Sequence, residues 1–310
     1  MSSWTLFHYL TPFWDPPIAD PIFGREQVYP PVWRKVAPWA ARAARPALLA
    51  LLGLYILALV VVRQPANALC AFGATYLILP LFALVPSLLL WTLPLGLALG
   101  PIIVREREGG TWDTLRTIPL DAGLIVLSKT RGALWPLRDL MGFVRNLLAI
   151  VAMGVGAFGL IVMAQALFGA SNALPLGVMC GVGVALAAAG AIVFLADWAQ
   201  QFVLMSVAAL AVSAAAPSQR VALPGAIVAA FVAWGANAGL AFLMLLAVPG
   251  HLLNQPVSLL PPLVVLGPPV MYILALPPAQ MLALLLATLA LREIAIRQIW
   301  RWALRAATRD

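Results

Sequence analysis

Long apolar runs separated by short polar clusters dominate the pattern of the chain. A run of about 20 apolar residues is long enough to cross the roughly 30 Å hydrocarbon core of a bilayer as a helix. The pattern therefore predicts an all-α polytopic membrane protein with six transmembrane helices in a transmembrane region, 46–291. The runs cover residues 47–62, 69–104, 143–168, 174–216 and 221–248, and a sixth ends near residue 291.

An eight-span arrangement is the alternative, with the run 174–216 divided near Asp197 and a further division in the segment 249–278. That segment is apolar but rich in proline, which removes backbone donors. Irregular backbone at membrane depth is tolerated where protein shields it, so we expect an outer or re-entrant segment there. Six spans are preferred.

Basic residues indicate the orientation of the chain. With six spans and both termini cytoplasmic, every lysine and arginine except Arg63 lies on the cytoplasmic side, as the positive-inside rule requires. We expect residence in a prokaryotic-type cytoplasmic (inner) membrane. The net charge of +8 then reflects topology, and no nucleic-acid partner is expected.

The two ends of the chain are predicted to be cytoplasmic. Residues 1–45 lack the pattern of a signal peptide, and 32–45 is interpreted as an amphipathic interfacial helix, with an irregular linker as the alternative. Residues 292–310 are predicted to form a basic amphipathic tail that lies on anionic membrane lipids; a protein-docking motif is the alternative.

Composition supports the membrane prediction and excludes several classes of protein. The chain is 63% hydrophobic and 10% charged, whereas soluble domains are about 25% charged. Cys70 and Cys180 form no paired motif, so we interpret them as buried thiols. His8 and His251 share no ligand spacing with other donors. We therefore expect no metal, no cofactor bound by this chain and no enzymatic activity of its own.

The densest charged block lies in a predicted cytoplasmic loop, 105–142. Four ionisable residues and two glycines precede a predicted short helix that begins at Thr111, which can act as its cap, and ends at Pro119. Trp112 and Leu115 share one face of this helix with Ile118, so it is amphipathic. The alternative is a solvated charged loop. The candidate residues of this site are Arg105, Glu106, Arg107, Glu108, Gly110, Thr111, Trp112, Asp113, Leu115 and Pro119.

A second candidate site is the polar group Asp197, Gln200 and Gln201 inside the run 174–216. Intramembrane carboxylates often bind substrate or protons. The alternative, which we favour, is a carboxylate at a helix break that faces water or bonds to one of the two glutamines.

Residues 105–129 resemble the loop after the second span in the permeases of type 2 ABC exporters. The shared features are the acidic and basic residues, Gly110-Thr111, Leu115, Pro119 and Lys129. Residues 20–26, Asp-Pro-Ile-Phe-Gly-Arg-Glu, are similar to the opening of many such permeases, and the small residues 213–216 are similar to the turn after their fourth span. Trp112 and Asp113 depart from the usual leucine and glutamate.

This resemblance implies a permease subunit that exports a substrate, expected to be hydrophobic, using a separate ATPase subunit. The chain lacks the Gly-Lys-Ser/Thr of a phosphate-binding loop, so ATP and Mg would be bound by that partner. The short coupling helix would seat in a groove of the ATPase, with the interfacial N-terminal helix bracing it. A second permease chain, identical or different, would complete the transporter.

Two other classes of function remain open at this point. The chain could be a non-transporting scaffold subunit of a larger membrane complex, such as a redox or pigment complex, that keeps a permease-like fold. A membrane-embedded enzyme is the third class, although no pair of histidine, acidic or cysteine residues shows catalytic spacing.

Overall fold

The computed structural model describes residues 21–28, 92–117, 119–137, 176–246 and 278–308. Within these residues the secondary structure is helical and contains no strand, which confirms the all-α prediction for this part of the chain. The helices are α1 Pro21–Val28, α2 Leu93–Leu99, α3 Val104–Glu108, α4 Thr111–Arg116, α5 Ala122–Leu134 with a 3-10 turn Trp135–Leu137, α6 Leu176–Ala215, α7 Gln219–Leu246 and α8 Pro278–Thr308.

The longest helix, α6, packs against both α7 and α8 and organises the described part of the fold. Segments Ala196–Ala215 of α6 and Gln219–Leu240 of α7 are long and apolar enough to cross a membrane. The six-span arrangement stays a prediction, because the runs 47–62 and 143–168 lie outside the described residues. The interfacial helix 32–45 and most of the proline-rich segment 249–278 lie outside them as well.

Helix α7 has one face of small residues and one face of exposed apolar residues. Ala222, Ala226 and Ala230 follow one another at four-residue spacing and are fully buried, and the stripe continues to Trp234 and Asn237. Small side chains let helix backbones approach closely, which is how apolar helices pack when lipid competes for their surfaces. The opposite face includes the exposed residues Val221, Val228, Val232 and Leu243.

Helix α2 packs against α7 through a glycine pair. A Cβ atom at Gly96 would lie 2.6 Å from Ile227 Cα, and one at Gly100 would lie 3.1 Å from Leu223 Cα. The two glycines and their two contacts are each four residues apart, so one turn of each helix repeats the same close approach. The end of the predicted second span is thereby fixed on α7.

Helix α8 continues without interruption through the predicted boundary at residue 292. Its buried positions recur at three- and four-residue spacing along the whole helix, as expected of a helix with one core face. Arg292 belongs to that stripe and is 2% exposed. The stripe consists of Leu285, Thr288, Arg292, Ile296, Trp300, Ala303 and Ala307.

The short N-terminal helix α1 lies on α5. Ile22 and Phe23 are buried, and the Phe23 ring meets that of Trp135 edge-on at a centroid distance of 5.8 Å. The two segments that resemble permease sequences, 20–26 and 105–129, thus contribute neighbouring elements. Helix α1 packs against α5 of the loop, and the expected bracing by residues 32–45 lies outside the described residues.

Candidate functional site

The short helix α4 has one buried and one exposed face. Trp112 and Leu115 are buried, whereas Asp113, Thr114 and Arg116 are exposed. The helix ends at Arg116, before Pro119. The predicted amphipathic helix is confirmed at these positions, and its polar face is open to solvent.

The predicted cap of this helix is wrong. Gly110, not Thr111, precedes the first helical residue, and it adopts a left-handed backbone with φ of +66°. Glycine adopts this conformation without the steric penalty that a Cβ atom imposes. Thr111 is already helical, and its hydroxyl donates to the Glu106 carboxylate and lies 3.4 Å from the Glu106 carbonyl oxygen.

Glu106 forms a buried ion pair with Lys129. Its Oε1 atom lies 3.0 Å from Lys129 Nζ, and the two residues are 3% and 1% exposed. The Thr111 hydroxyl bonds to Oε2, so both carboxylate oxygens have partners. A buried charge is tolerated when it is paired and hydrogen-bonded. This pair joins α5 to α3, just before the turn that leads into α4.

Arg107 binds the C-terminal ends of two long helices. Its Nη1 donates to the carbonyl oxygen of Ala214 on α6 at 2.7 Å, and its Nη2 donates to that of Ala306 on α8 at 2.6 Å. The last carbonyls of a helix lack intrahelical partners and carry partial negative charge, so a guanidinium satisfies them well. Burial lowers the pKa of Arg107, and the nearby charge of Arg116 lowers it further.

Three further bonds complete this junction. Trp112 Nε1 donates to the carbonyl oxygen of Ala307 on α8 at 3.1 Å. Glu108 Oε1 accepts from the backbone N–H of Gln219, the first residue of α7, at 2.9 Å, where a carboxylate also complements the helix dipole. The Ile103 N–H donates to Ser213 Oγ at 3.2 Å. We call this set of bonds the loop junction.

The loop junction joins one short loop to the ends of α6, α7 and α8. Ile103, Trp112 and Ser213 are buried within it, so a joint displacement of α3 and α4 would act directly on the ends of three helices. The outer surface is exposed around Gly109, Gly110, Pro119 and the apolar Leu120 and Leu124. Arg105 Nη2 lies 4.0 Å from Glu106 Oε1 at the edge of the buried pair.

A second polar cluster joins α6, α7 and α8 at a distance from the junction. Asp197 bonds to Arg292 on α8 through its carboxylate, and its carbonyl oxygen accepts from Arg292 Nη1 at 3.2 Å. Arg292 Nε also donates to Asn237 Oδ1 on α7. All three residues are under 5% exposed. We call this set, with Gln200, the buried polar cluster.

This cluster corrects the interpretation of Asp197. The residue lies inside the unbroken helix α6, not at a helix break, and its partner is Arg292 and not a neighbouring glutamine. Gln200 Nε2 instead donates to the Leu289 carbonyl oxygen on α8 at 3.2 Å, and Gln201 is half-buried. An arginine supplies the opposite charge that a buried carboxylate requires, which a glutamine does not.

Arg292 and Asn237 were missed by the sequence reasoning. Arg292 was assigned to the cytoplasmic tail with the other four arginines, although its spacing from Leu285, Thr288 and Ile296 places it on the buried face of α8. That three-and-four spacing is the signal that identifies it. Asn237, an isolated amide in an apolar run, carries a weaker signal.

No group of three histidine, cysteine or acidic side chains able to hold a metal ion occurs in the described ranges. No family model, curated protein or solved structure matches the chain.

Proposed function

We propose that this chain is the membrane subunit of an ATP-driven exporter and that α4 is its coupling helix. The observation that carries the proposal is the two-sided construction of the loop junction. The buried side of α4 is bonded to the end of α8 through Trp112, and the preceding helix α3 is bonded to the ends of α6, α7 and α8. The other side of α4 is exposed. The proposal includes six spans in a cytoplasmic membrane and a second permease chain.

The exposed side of α4 offers a surface for a soluble partner. Asp113 and Arg116 supply opposite charges within one helical turn, and Leu120 and Leu124 supply exposed apolar area beside them. Protein interfaces combine apolar anchors with a polar rim. A partner that hydrolyses ATP, with Mg bound to it, would contact this surface from the cytoplasm.

The bonds of α3 and α4 together support transmission of movement. Trp112 and Arg107 together bind the last carbonyls of α6 and α8, while Glu108 binds the first amide of α7. Packed interiors transmit displacement because they are stiff and close-packed. Movement of α4 by a partner would therefore tilt the apolar helices and change access to a substrate path.

Charge reversal on the exposed face tests this proposal. We expect tagged protein in mild detergent to co-purify with a subunit that carries a phosphate-binding loop and hydrolyses ATP. The double variant Asp113→Arg with Arg116→Glu should lose that subunit, because both exposed charges then oppose the partner's. The variant should remain folded, since neither side chain is buried.

Arg301→Glu is the matched control, since Arg301 is an exposed arginine on α8, six residues before the Ala307 carbonyl that α4 contacts. It should retain the ATPase subunit. Co-purification of integral membrane proteins alone, unaffected by the double variant, would instead favour the scaffold interpretation and contradict the exporter proposal.

A further inference from the structure

The exposed face of α8 changes from apolar to basic once along its length. Exposed positions recur at three- and four-residue spacing from residue 283 to residue 308, on the side of the helix opposite its buried stripe. Before residue 297 these positions are all apolar, and Leu286 and Ile294 are 57% and 56% exposed. The exposed positions that follow are basic or polar apart from one tryptophan: Arg297, Gln298, Arg301, Trp302, Arg305 and Thr308.

The three arginines form a row on this face. Their four-residue spacing places them on one side of the helix, over a length of about 12 Å. Arg297 Nε donates to Glu293 Oε1 at 2.8 Å, and Arg305 Nε lies 3.4 Å from the Arg301 carbonyl oxygen. Among the residues that the structure describes, Arg301 and Arg305 have no acidic partner. The row therefore keeps a surplus of positive charge.

The opposite face of α8 is not available to lipids. A helix that lies flat on a bilayer inserts its own apolar face among the lipid molecules. In α8 the apolar residues Ile296, Trp300 and Ala303 are buried within the protein. The carbonyl oxygens of Ala306 and Ala307 also accept bonds from the loop junction. The basic face is the one that remains open in this part of the helix.

The two halves of the exposed face together indicate an amphipathic ligand. The apolar half, residues 283–294, extends over about 17 Å, which is close to half of the roughly 30 Å hydrocarbon core of a bilayer. The arginines then follow at the level of the lipid phosphates, beside Trp302, a residue type enriched at that level. An acidic peptide or a nucleic acid would neutralise the arginines but would leave the apolar half facing water.

We propose that the exposed face of α8 binds an anionic phospholipid of the cytoplasmic leaflet. Its acyl chains lie along Leu286 and Ile294, and its phosphate group lies against the arginine row. Guanidinium groups bind phosphate through paired N–H donors. A zwitterionic lipid would bring its own ammonium group beside the arginines, so an anionic headgroup is favoured. The inference rests on the proposed membrane location and orientation, but not on the ATPase partner.

Native mass spectrometry of the isolated full chain tests the inference. Protein freed of lipid in mild detergent is mixed with equimolar dioleoylphosphatidylglycerol and dioleoylphosphatidylcholine, which share their acyl chains and differ in headgroup charge. We expect the first lipid adduct to be phosphatidylglycerol, with a preference of about tenfold, because several arginines contribute to the attraction. The preference should decrease as the salt concentration rises, since exposed charges are screened.

Variants at the three arginines locate the preference. The triple variant Arg297→Gln, Arg301→Gln and Arg305→Gln should lose it. The matched control changes the same three residues to lysine, which keeps their charge, and it should retain most of the preference. Both variants should fold, because none of the three side chains is buried.

A soluble phosphate distinguishes a lipid site from a general anion site. Glycerol 1-phosphate lacks acyl chains and should not displace phosphatidylglycerol at equal concentration. Displacement by glycerol 1-phosphate or by a polyglutamate peptide would overturn the inference in favour of a soluble anionic ligand.

Three further results would overturn the lipid site. They are equal adducts of the two lipids, a preference that survives in the glutamine variant, and a preference that is lost in the lysine variant. ATPase capture and its Arg301→Glu control are measured without added lipid, so failure of the exporter proposal is distinguishable from failure of the lipid site.

Discussion

The ammonium group of Lys129 lies 3.0 Å from Glu106 Oε1, and both side chains are almost completely buried. The pair joins α3 to α5 beneath the exposed helix α4. A helix of six residues has little stability of its own, so its position depends on such tertiary contacts.

Breaking the Glu106–Lys129 pair from either side should destabilise the protein. Glu106→Gln or Lys129→Met removes the opposite charge that lies 3.0 Å from a buried charged group, which costs about 3–5 kcal/mol. The double variant Glu106→Leu with Lys129→Met removes both charges and should recover most of that loss. Unfolding midpoints in detergent measure the three variants, and a double variant no better than the worse single variant would contradict the assignment.

Removal of the Arg107 side chain should loosen two helix ends. Arg107→Met abolishes its bonds to Ala214 and Ala306, so the last turns of α6 and α8 lose partners for their carbonyls. Hydrogen exchange should become faster in both turns. Arg297→Met is the control, because Arg297 is exposed and bonds to Glu293, more than two turns before Ala306, and it should leave both turns unchanged. Equal effects of the two variants would refute this role for Arg107.

The close approach of α2 to α7 predicts that alanine destabilises the protein at Gly96 but not at Gly235. Gly96→Ala brings a Cβ atom within 2.6 Å of Ile227 Cα, so the helices must separate, at a cost of about 1–3 kcal/mol. Gly235→Ala on α7 meets nothing within 4 Å and should be neutral or slightly stabilising. Unfolding midpoints distinguish the two substitutions, and equal values would rule out the described packing.

The left-handed backbone at Gly110 predicts a ranking of substitutions. Gly110→Ala should cost about 1 kcal/mol, because its Cβ atom opposes a positive φ, whereas Gly110→Asn should cost less. Open space surrounds the position, so the difference reports backbone strain and not a steric clash. If the Gly110→Ala variant is as stable as the Gly110→Asn variant, residue 110 does not need the left-handed conformation.

The sequence predicted local features well where a short pattern determined them. The helix over Thr111–Arg116 was predicted from the residues that precede and follow it, and its buried pair, Trp112 and Leu115, from their three-residue spacing. The bonds of Arg107 could not be predicted from a local pattern, because its partners are 107 and 199 positions away in the sequence. Arg292 was assigned to the tail because its charge outweighed its spacing, although the long-range bond to Asp197 provides the compensation that permits burial.

The prediction that Thr111 caps α4 was wrong for a related reason. Threonine is a good N-cap by propensity, but Gly110 turns the backbone first and the Thr111 hydroxyl is bonded to Glu106. A tertiary hydrogen bond to a buried carboxylate replaces the local one. Propensity is thus informative about where this helix lies and less informative about how it begins.

Site-specific photocrosslinking tests the central claim most directly. A benzoylphenylalanine replaces Thr114 on the exposed face of α4 or, as a control, Val232 on the exposed apolar face of α7, in protein expressed in its native membrane. We predict that position 114 crosslinks to a soluble subunit with a phosphate-binding loop and that position 232 does not. Crosslinking of position 114 only to integral membrane proteins would contradict the account.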